Sequence, residues 1–575
     1  MPTQPAAPAA LLASIRRRLD ASGTPAAPTG LADTLAWLLA AICAGLGLWR
    51  IGISAINADV AFFLQGGQAL RDGGTLFGSW RDFNLPANYA LPLLSQTIAD
   101  AGTWRPADVH MLLLAGLSLG CAVLAGVLVR RAVARPWSVV AILAPSVFMI
   151  ALLIRPGHNF GQRELLFLGM VLPLLITLWA HQLGRPSPRG WPGWWPGLWM
   201  GLVVAVLAGL GACLKPHFIV FLLGIAAMDL VLSGFRRRRL FWPAWLALLV
   251  ALAELLRVWL MHPAYFTEML PLALLVYAPA SEPLELAWSF LATPGGYRTG
   301  LTTALLLLLH ALLRPGAGQF RFVACWAGCL TMAIGMYIGQ GLGLHYHRIF
   351  FEGLVQISAT LTLAFAAELV LRLVLPRLAW PRPATALMLA LPLLVVSWRW
   401  PGLILQRSWV VGSPLVAALD ALPPGSDVAA IQSLTWPVSV IPAYARVRLR
   451  FAGFAGLLVE LPEIAAQQAR TDGLPPSPAI MALRAAMLAR LSAGLETTRP
   501  GLVLVEGMVN MGRTRLPMLP YGRQTPDLPA ILALLAEDAR FASAWSHYAR
   551  AASVELPAAA ALDTHIEMWR RLPAP

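Results

Sequence analysis

Stretches of apolar residues long enough to cross a bilayer recur along the first 403 residues of this chain. An α-helix rises about 1.5 Å per residue, so about 20 apolar residues span the hydrocarbon core. The chain is 58% hydrophobic and 12% charged, about half the charge of a typical soluble protein. No water-soluble core buries that much apolar surface. The sequence therefore predicts a polytopic α-helical membrane protein.

The apolar runs predict about eleven transmembrane helices. A mixed segment, 262–297, interrupts them and predicts either a re-entrant piece or an additional helix pair. The predicted spans are 33–54, 108–129, 138–154, 164–182, 196–214, 217–234, 241–261, 298–313, 321–340, 349–371 and 384–403.

Arginine clusters stand at alternate ends of these spans, and their side is expected to be cytoplasmic. This orientation makes residues 1–30 a cytoplasmic tail and places the long loop 55–107 and the tail after residue 403 on the outer side. Composition rich in Arg, Ala, Pro and Gly is typical of a GC-rich bacterial genome, so we expect a bacterial inner membrane and a periplasmic C-terminus. The net charge of +15 is spread over short loops and forms no binding face, so we expect no nucleic-acid partner.

Two domains follow the cytoplasmic tail in this prediction. Residues 31–403 form the membrane module, and residues 404–575 form a soluble α/β domain. In the second domain the apolar runs at 428–431 and 502–505 predict buried strands, while 479–493 and 527–550 have helical periodicity. This domain carries no Gly-rich phosphate loop and no triad-like motif, so we expect it to be a lid or an acceptor-binding domain.

The first outer loop carries two carboxylates that are candidate catalytic residues. Asp59 lies where the first span leaves the membrane, and Asp82 follows in the motif Asp82-Phe83-Asn84-Leu85-Pro86. A carboxylate at membrane depth is costly unless it is paired or solvated, which favours a functional role for Asp59. The alternative is a helix cap or an ion pair with Arg81. The aromatic residues after Asp59, Phe62 and Phe63, predict a helix lying on the lipid surface.

The second and third outer loops supply cations. In the second outer loop, His158 is followed by Arg163 and Glu164, which stand at the start of a predicted span. In the third, Lys215, the only lysine of the chain, precedes Pro216 and His217 in a turn. A helix N-terminus with arginine favours an anion, and lysine binds phosphate as a point charge. The alternatives are a local Arg163–Glu164 surface pair and interfacial snorkelling of Lys215.

The fifth outer loop reads His345-Tyr346-His347-Arg348. The spacing of the two histidines suits a loop rather than a helical metal pair, and no third ligand is evident. We therefore expect them to hydrogen-bond sugar or phosphate oxygens, with interfacial placement as the alternative. The five cysteines lie in apolar runs and are expected to be buried thiols. No cofactor is predicted, although a divalent metal remains compatible with the sequence.

In their order and shared outer placement, these motifs resemble the GT-C superfamily of polyprenyl-phosphate-sugar-dependent glycosyltransferases. They are similar to an uncharacterised bacterial group, distantly like the protein O-mannosyltransferases and the lipid A aminoarabinose transferases. The resemblance implies that Asp59 is the catalytic base and that Arg163, Lys215 and Arg348 contact the donor phosphate. Many members have two adjacent acidic residues in the first loop, whereas Asp59 has apolar neighbours, so Asp82 is the candidate second carboxylate.

The sequence thus predicts a glycosyltransferase that moves a sugar from a polyprenyl-phosphate donor to an envelope glycan or lipid acceptor at the periplasmic face. A polysaccharide polymerase or ligase and a lipid-linked sugar transporter or flippase are the alternatives. A transporter predicts ionisable residues in mid-membrane and related halves, and neither is evident. The candidate sugar- or acceptor-binding residues are Asn84, His158, Glu164, His217, His345 and His347.

Overall fold

A computed structural model gives the architecture of the chain. The predicted span 384–403 and most of 298–313 lie outside the described residues, as do residues 1–28 of the predicted tail. The structure describes residues 29–102, 104–132, 138–183, 194–236, 240–277, 283–292, 300–305, 308, 317–341, 345–374, 406–433, 438–446, 449–451, 458, 460–468, 475, 477–507, 530–555 and 565–573.

The membrane module is a bundle of apolar helices, and the remaining nine predicted spans each coincide with one of them. These nine helices are 16 to 27 residues long, where the shortest is counted together with its π-helical continuation at Ile150–Ile154. The helices are α1 Thr29–Ile53, α2 Ala58–Arg71, α3 Ala90–Ala101, α4 Pro106–Ala132, α5 Val139–Met149, α6 Arg163–Gln182, α7 Trp194–Ala212, α8 Pro216–Leu232, α9 Trp242–Met261, α10 Leu270–Tyr277, α11 Pro283–Ala292, α12 Ala317–Gln340 and α13 Ile349–Val374.

Seven of the described helices have the length and apolarity to cross a membrane. One of them, Pro478–Thr498, lies in the C-terminal domain, where it packs on a sheet through Met487 and Leu491; we therefore do not count it as a span. α6 is the central helix, and nearly all of its side chains are buried between α4, α7 and α12. The predicted polytopic α-helical fold is confirmed.

The helix that follows the first span, α2, is buried within the protein rather than in lipid. Phe62 and Phe63 are covered by Trp80 and Tyr89 of the same loop, so the predicted lipid-facing surface helix is wrong. Gly66 permits this close packing, because a Cβ there would stand 2.4 Å from the Tyr89 ring and 2.6 Å from the Trp80 ring. The apolar face of α2 is therefore buried against aromatic side chains of its own loop.

The mixed segment after α9 is helical where it is described. A π-helical turn, Tyr265–Met269, continues into α10, and α11 follows after an undescribed interval. Tyr265 and Met269 are buried against Phe77 of the first loop. This segment therefore packs over the first loop.

The C-terminal domain contains a five-stranded sheet of order β2-β1-β3-β5-β4. β1 pairs in parallel with both β2 and β3, whereas β5 pairs antiparallel with β3 and β4, as in Val428↔Leu502 and Leu502↔Arg570. The predicted strands at 428–431 and 502–505 are confirmed. The predicted helix 527–550 is only partly right, because it is two short helices that give way to strand β4. The elements are α14 Arg407–Val411, α15 Pro414–Asp420, β1 Ser426–Ile431, β2 Leu449–Phe451, α16 Leu461–Gln468, α17 Pro478–Thr498, β3 Leu502–Glu506, α18 Ile531–Ala536, α19 Ala539–Trp545, β4 Tyr548–Glu555 and β5 His565–Arg571.

The two faces of this sheet have different neighbours. Because side chains alternate along a strand, Val503 and Val505 of β3 point toward α16–α19, while Leu502 and Leu504 join the apolar core shared with the membrane module. An ion pair adds to this packing, with Arg407 Nη2 2.6 Å from the Asp108 carboxylate of α4. The C-terminal domain is thus docked on the module through its sheet face and α14.

Candidate functional site

Polar side chains from five segments of the chain meet at one end of the helix bundle. The first two segments, the start of α2 and the stretch before α3, belong to the same loop, and the other three are the turn that begins α6, the α7–α8 turn and the turn that begins α13. Asn88 joins two of these loops, since its side-chain nitrogen donates to the carbonyl of Leu214 at 2.8 Å. The loops named by sequence are therefore one structural cluster.

Asp59 lies in the first turn of α2 and is held from both sides. Asn57 caps this helix, and its Oδ1 accepts the backbone N–H of Asp59 at 3.0 Å. Nε2 of Gln162 donates to Asp59 Oδ2 at 3.0 Å and to Asn57 Oδ1 at 2.8 Å. The backbone before α6 makes this reach possible, because Gly161 has a positive φ of 85°, a conformation that glycine adopts without strain. Asp59 is only partly buried.

Arg163 is buried and is oriented by a chain of hydrogen bonds from the first loop. Its Nη1 donates to Asn84 Oδ1, and Asn84 Nδ2 donates to Asp82 Oδ1 at 2.7 Å. The other oxygen of Asp82 accepts the Tyr89 hydroxyl at 2.6 Å. The Arg163 guanidinium also stacks over the Phe63 ring, 4.9 Å from its centroid. Both oxygens of Asp82 are engaged, which suits a residue that positions Arg163.

Burial raises the pKa of Asp82, and hydrogen bonds from Tyr89 together with the charge of Arg163 oppose that rise. Burial also raises the pKa of Tyr89 well above its usual value, and the neighbouring Asp82 adds to this effect. A tyrosine with a raised pKa stays protonated and acts as a donor. The Tyr89–Asp82 contact is therefore a fixed structural hydrogen bond.

Lys215 lies between α7 and α8 and forms a buried ion pair with Glu164. The lysine side chain is 8% exposed and that of the glutamate 1%. The pKa of Lys215 is lowered to about 8, first by burial and next by the positive charge of Arg163, while the contact with Glu164 opposes both effects. Asp59 also acts on Lys215 electrostatically. The pair places a titratable cation beside Arg163.

Two imidazoles complete the cluster. His347 is buried, and its Nδ1, like Nε2 of His217, is inaccessible and has no hydrogen-bond partner among the described residues. Nε of Arg163 and Oε2 of Glu164 are also buried and also have no hydrogen-bond partner among the residues that the structure describes. A buried polar atom without a partner costs about 1–3 kcal/mol. Four such atoms in one cluster indicate a site built for a polar ligand.

The turn that carries His347 is anchored to the second loop. Arg155 donates to the carbonyl of Glu352 at 2.9 Å and to its carboxylate at 3.1 Å. Arg348 lies 3.9 Å from the same carboxylate. Tyr346 of this turn faces Lys215, whose Nζ is 5.3 Å from the ring centroid. Glu352 therefore joins two loops of the cluster through arginine side chains.

Three of the local alternatives from the sequence are wrong. Arg81 pairs with Glu268 at 3.7 Å rather than with Asp59. Glu164 pairs with Lys215 across 51 residues rather than with Arg163, and Lys215 is buried rather than snorkelling at an interface.

The predicted site residues are not all brought together. Asp59, Asp82, Asn84, Arg163, Glu164, Lys215, His217 and His347 belong to the cluster. The side chain of His158 is exposed, and its backbone carbonyl accepts a hydrogen bond from the Asn57 side chain at 3.0 Å. The side chain of His345 lies outside the described residues. Their roles in binding and catalysis stay predictions.

Sequence reasoning did not assign individual roles to Arg155, Gln162 or Glu352. The sequence did contain a signal for Gln162, since this residue stands between Gly161 and Arg163 at the start of a predicted helix. Glu352 lies one turn inside an apolar helix, and a carboxylate there is a costly placement that predicts a partner.

The fold and the cluster define a multi-pass helical membrane protein with a buried cationic site at one end of its bundle. Among the residues that the structure describes, no three His, Cys, Asp or Glu side chains form a group suited to a metal ion. Whether the protein uses a metal stays a prediction from the sequence.

The similarity of this chain to known proteins is to solved structures. No protein-family model matches the chain, and no curated protein matches it. Among solved structures, the chain is similar to the crystal structure of ArnT from Cupriavidus metallidurans bound to undecaprenyl phosphate. The two chains are 13% identical, the match covers 84% of this chain and 94% of that one, and the TM-score is 0.36.

Proposed function

We propose that this protein is a membrane glycosyltransferase of the GT-C type, which transfers a sugar from a polyprenyl-phosphate donor to a hydroxyl of an envelope glycan or lipid. One observation supports it above all others. A partly accessible carboxylate, Asp59, is bound through Gln162 to the segment that carries Arg163, and it acts electrostatically on both Arg163 and Lys215. A base and two buried cations at the end of a helix bundle match the needs of transfer from a lipid phosphate.

The chemistry follows from the charges that develop. The Asp59 carboxylate takes the proton of the acceptor hydroxyl while that oxygen attacks the anomeric carbon of the donor sugar. The bond between the anomeric carbon and the phosphate oxygen breaks, and polyprenyl phosphate leaves with the electron pair. Attack opposite the leaving group inverts the anomeric centre. The proton passes from Asp59 to water after the product leaves.

Arg163 and Lys215 are placed to stabilise the departing phosphate. Cations in a buried site stabilise developing negative charge more strongly than they do in water. Arg163 is already oriented by Asn84 and Asp82, so little side-chain entropy is lost on binding. Nε2 of His217 and Nδ1 of His347, which have no hydrogen-bond partner among the described residues, are the candidate contacts for phosphate or sugar oxygens.

Turnover by the purified full-length protein in lipid nanodiscs tests the proposal. A panel of polyprenyl-phosphate sugars is offered with crude envelope glycan and lipid as acceptors, and release of polyprenyl phosphate is measured. We expect one donor class to be consumed, with the sugar recovered on the acceptor at one unit per phosphate released. Donor binding without release under every acceptor condition would favour the transporter. Growth of the acceptor by repeated units would favour a polymerase.

The pH dependence of donor use should follow Lys215. Below pH 8 its ammonium is present and holds the phosphate, and above pH 8 the free protein loses that charge. We therefore expect kcat/KM for the donor to fall above about pH 8, approaching about tenfold per pH unit for one ionisation. In Lys215→Arg, whose guanidinium stays charged, this alkaline fall should disappear. An identical fall in Lys215→Arg and wild type would assign the ionisation to another group.

A further inference from the structure

The C-terminal domain contacts the backbone just before the helix that carries Asp59. The hydroxyl of Tyr444 accepts the backbone N–H of Ile56 at 2.8 Å, across 388 residues of sequence. Tyr444 is 1% exposed and ends a 3-10 turn, Pro442–Tyr444. This hydrogen bond is the direct link between the domain and the residue that precedes the helix cap.

The position of Ile56 decides the position of Asp59. Ile56 is followed by Asn57, whose side chain accepts both the N–H of Asp59 and the amide of Gln162. Gln162 in turn donates to the Asp59 carboxylate. A displacement of the backbone at Ile56 therefore moves the cap, the helix start and the carboxylate together.

A second contact holds this helix at Gln65, nine residues beyond Ile56. Nε2 of Gln65 donates to the carbonyls of Val438 and Ser439, at 3.3 and 3.2 Å. The segment 438–444 of the C-terminal domain therefore holds α2 at two points. Tyr444 is itself fixed, because Arg105, just before α4, donates to its carbonyl.

We propose that Tyr444 is a positioning residue for the Asp59 carboxylate, which makes the C-terminal domain part of the catalytic site rather than only a lid or acceptor-binding unit. The catalytic part of this inference rests on the proposed function. The structural part, that the Tyr444 hydroxyl fixes the Ile56–Asp59 backbone, does not. The hydroxyl stabilises a backbone that the reaction requires in one place, and it touches neither substrate.

The test compares Tyr444→Phe with Tyr548→Phe in the full chain. Tyr548 lies in the same domain, and its hydroxyl has no hydrogen-bond partner among the described residues, so its removal deletes a hydroxyl and no positioning contact. Amide hydrogen exchange is followed in a peptide covering residues 55–61. We expect faster exchange there in Tyr444→Phe and unchanged exchange in Tyr548→Phe. Gln65→Met, which removes the second contact without emptying the core, should raise exchange in α2 as well.

Kinetics then separate positioning from general destabilisation. Misplacement of a catalytic group by about 1 Å costs up to about 100-fold in rate, so we expect kcat of Tyr444→Phe to fall about 10- to 100-fold. KM for the donor should change less than about twofold, because Arg163 and Lys215 are untouched. Equal kcat in Tyr444→Phe and Tyr548→Phe, or unchanged exchange at residues 55–61, would overturn the inference. If the wild-type protein turned over no donor while Tyr444→Phe still exchanged faster at residues 55–61, the proposed function would be wrong and the structural link from Tyr444 to Ile56 would stand.

Discussion

Asp59→Asn is expected to remove nearly all transfer activity while the protein stays folded. General-base assistance contributes about 10²- to 10⁴-fold in enzymes, and asparagine cannot accept the acceptor's proton. The substitution keeps the shape of the side chain and an oxygen for the Gln162 amide. Because donor contacts are made by other residues, we expect kcat to fall by that factor with little change in donor binding. Release of polyprenyl phosphate and donor binding are measured side by side.

Asp100→Asn is the matched control for this prediction. Asp100 ends α3 in the same first loop and pairs with Arg71, away from the cationic cluster. Its loss removes one carboxylate from the same region and should leave kcat within about twofold, as expected for a partly exposed ion pair. If Asp59→Asn retained more than about a third of wild-type kcat, another group would have to be the base. Asp82 is a poor substitute, since both of its oxygens are already bonded.

The helices of the membrane module were predictable because lipid imposes a length and a polarity on each one. α4 and α9, for example, follow directly from apolar runs between charged loops. The apolar face of α2 was misassigned for the same reason. A run such as Phe62-Phe63-Leu64 is equally compatible with lipid and with aromatic side chains of the protein. Only the loop that returns over it, with Trp80 and Tyr89, decides the question.

The types of residue that form the site were predictable from the sequence, but the contacts between them were not. Charged and imidazole side chains at the ends of membrane helices are costly and therefore conspicuous, which is how Arg163 and Lys215 were selected. The partner of Lys215, Glu164, is 51 residues away and that of Arg163, Asn84, is 79 residues away, and no local pattern encodes such a distance. The role of Tyr444 required the docked domain, because the contact joins two regions that the sequence presents as independent.

Lys215→Met is expected to lower kcat/KM for the donor by about 100-fold or more. One buried charge that stabilises a leaving group is worth about 2.7–4 kcal/mol, or 10²- to 10³-fold in rate. Lys215 is buried beside Arg163, with its ammonium facing the Tyr346 ring, so water does not replace it. Donor affinity should fall as well, since in the proposed mechanism the ammonium contacts the phosphate already in the ground state. Both quantities follow from titrating the donor in the release assay.

The single substitution also leaves Glu164 charged in a buried site, which destabilises a protein by about 3–5 kcal/mol. The double variant Lys215→Met with Glu164→Gln removes that charge together with the lysine. We expect the double variant to regain the thermal stability lost in the single one and to stay impaired with the donor. Glu164→Gln alone keeps the ammonium and should retain donor binding. Recovery of donor affinity in the double variant would show that Lys215 acts only by neutralising Glu164, and the phosphate contact would then belong to Arg163 alone.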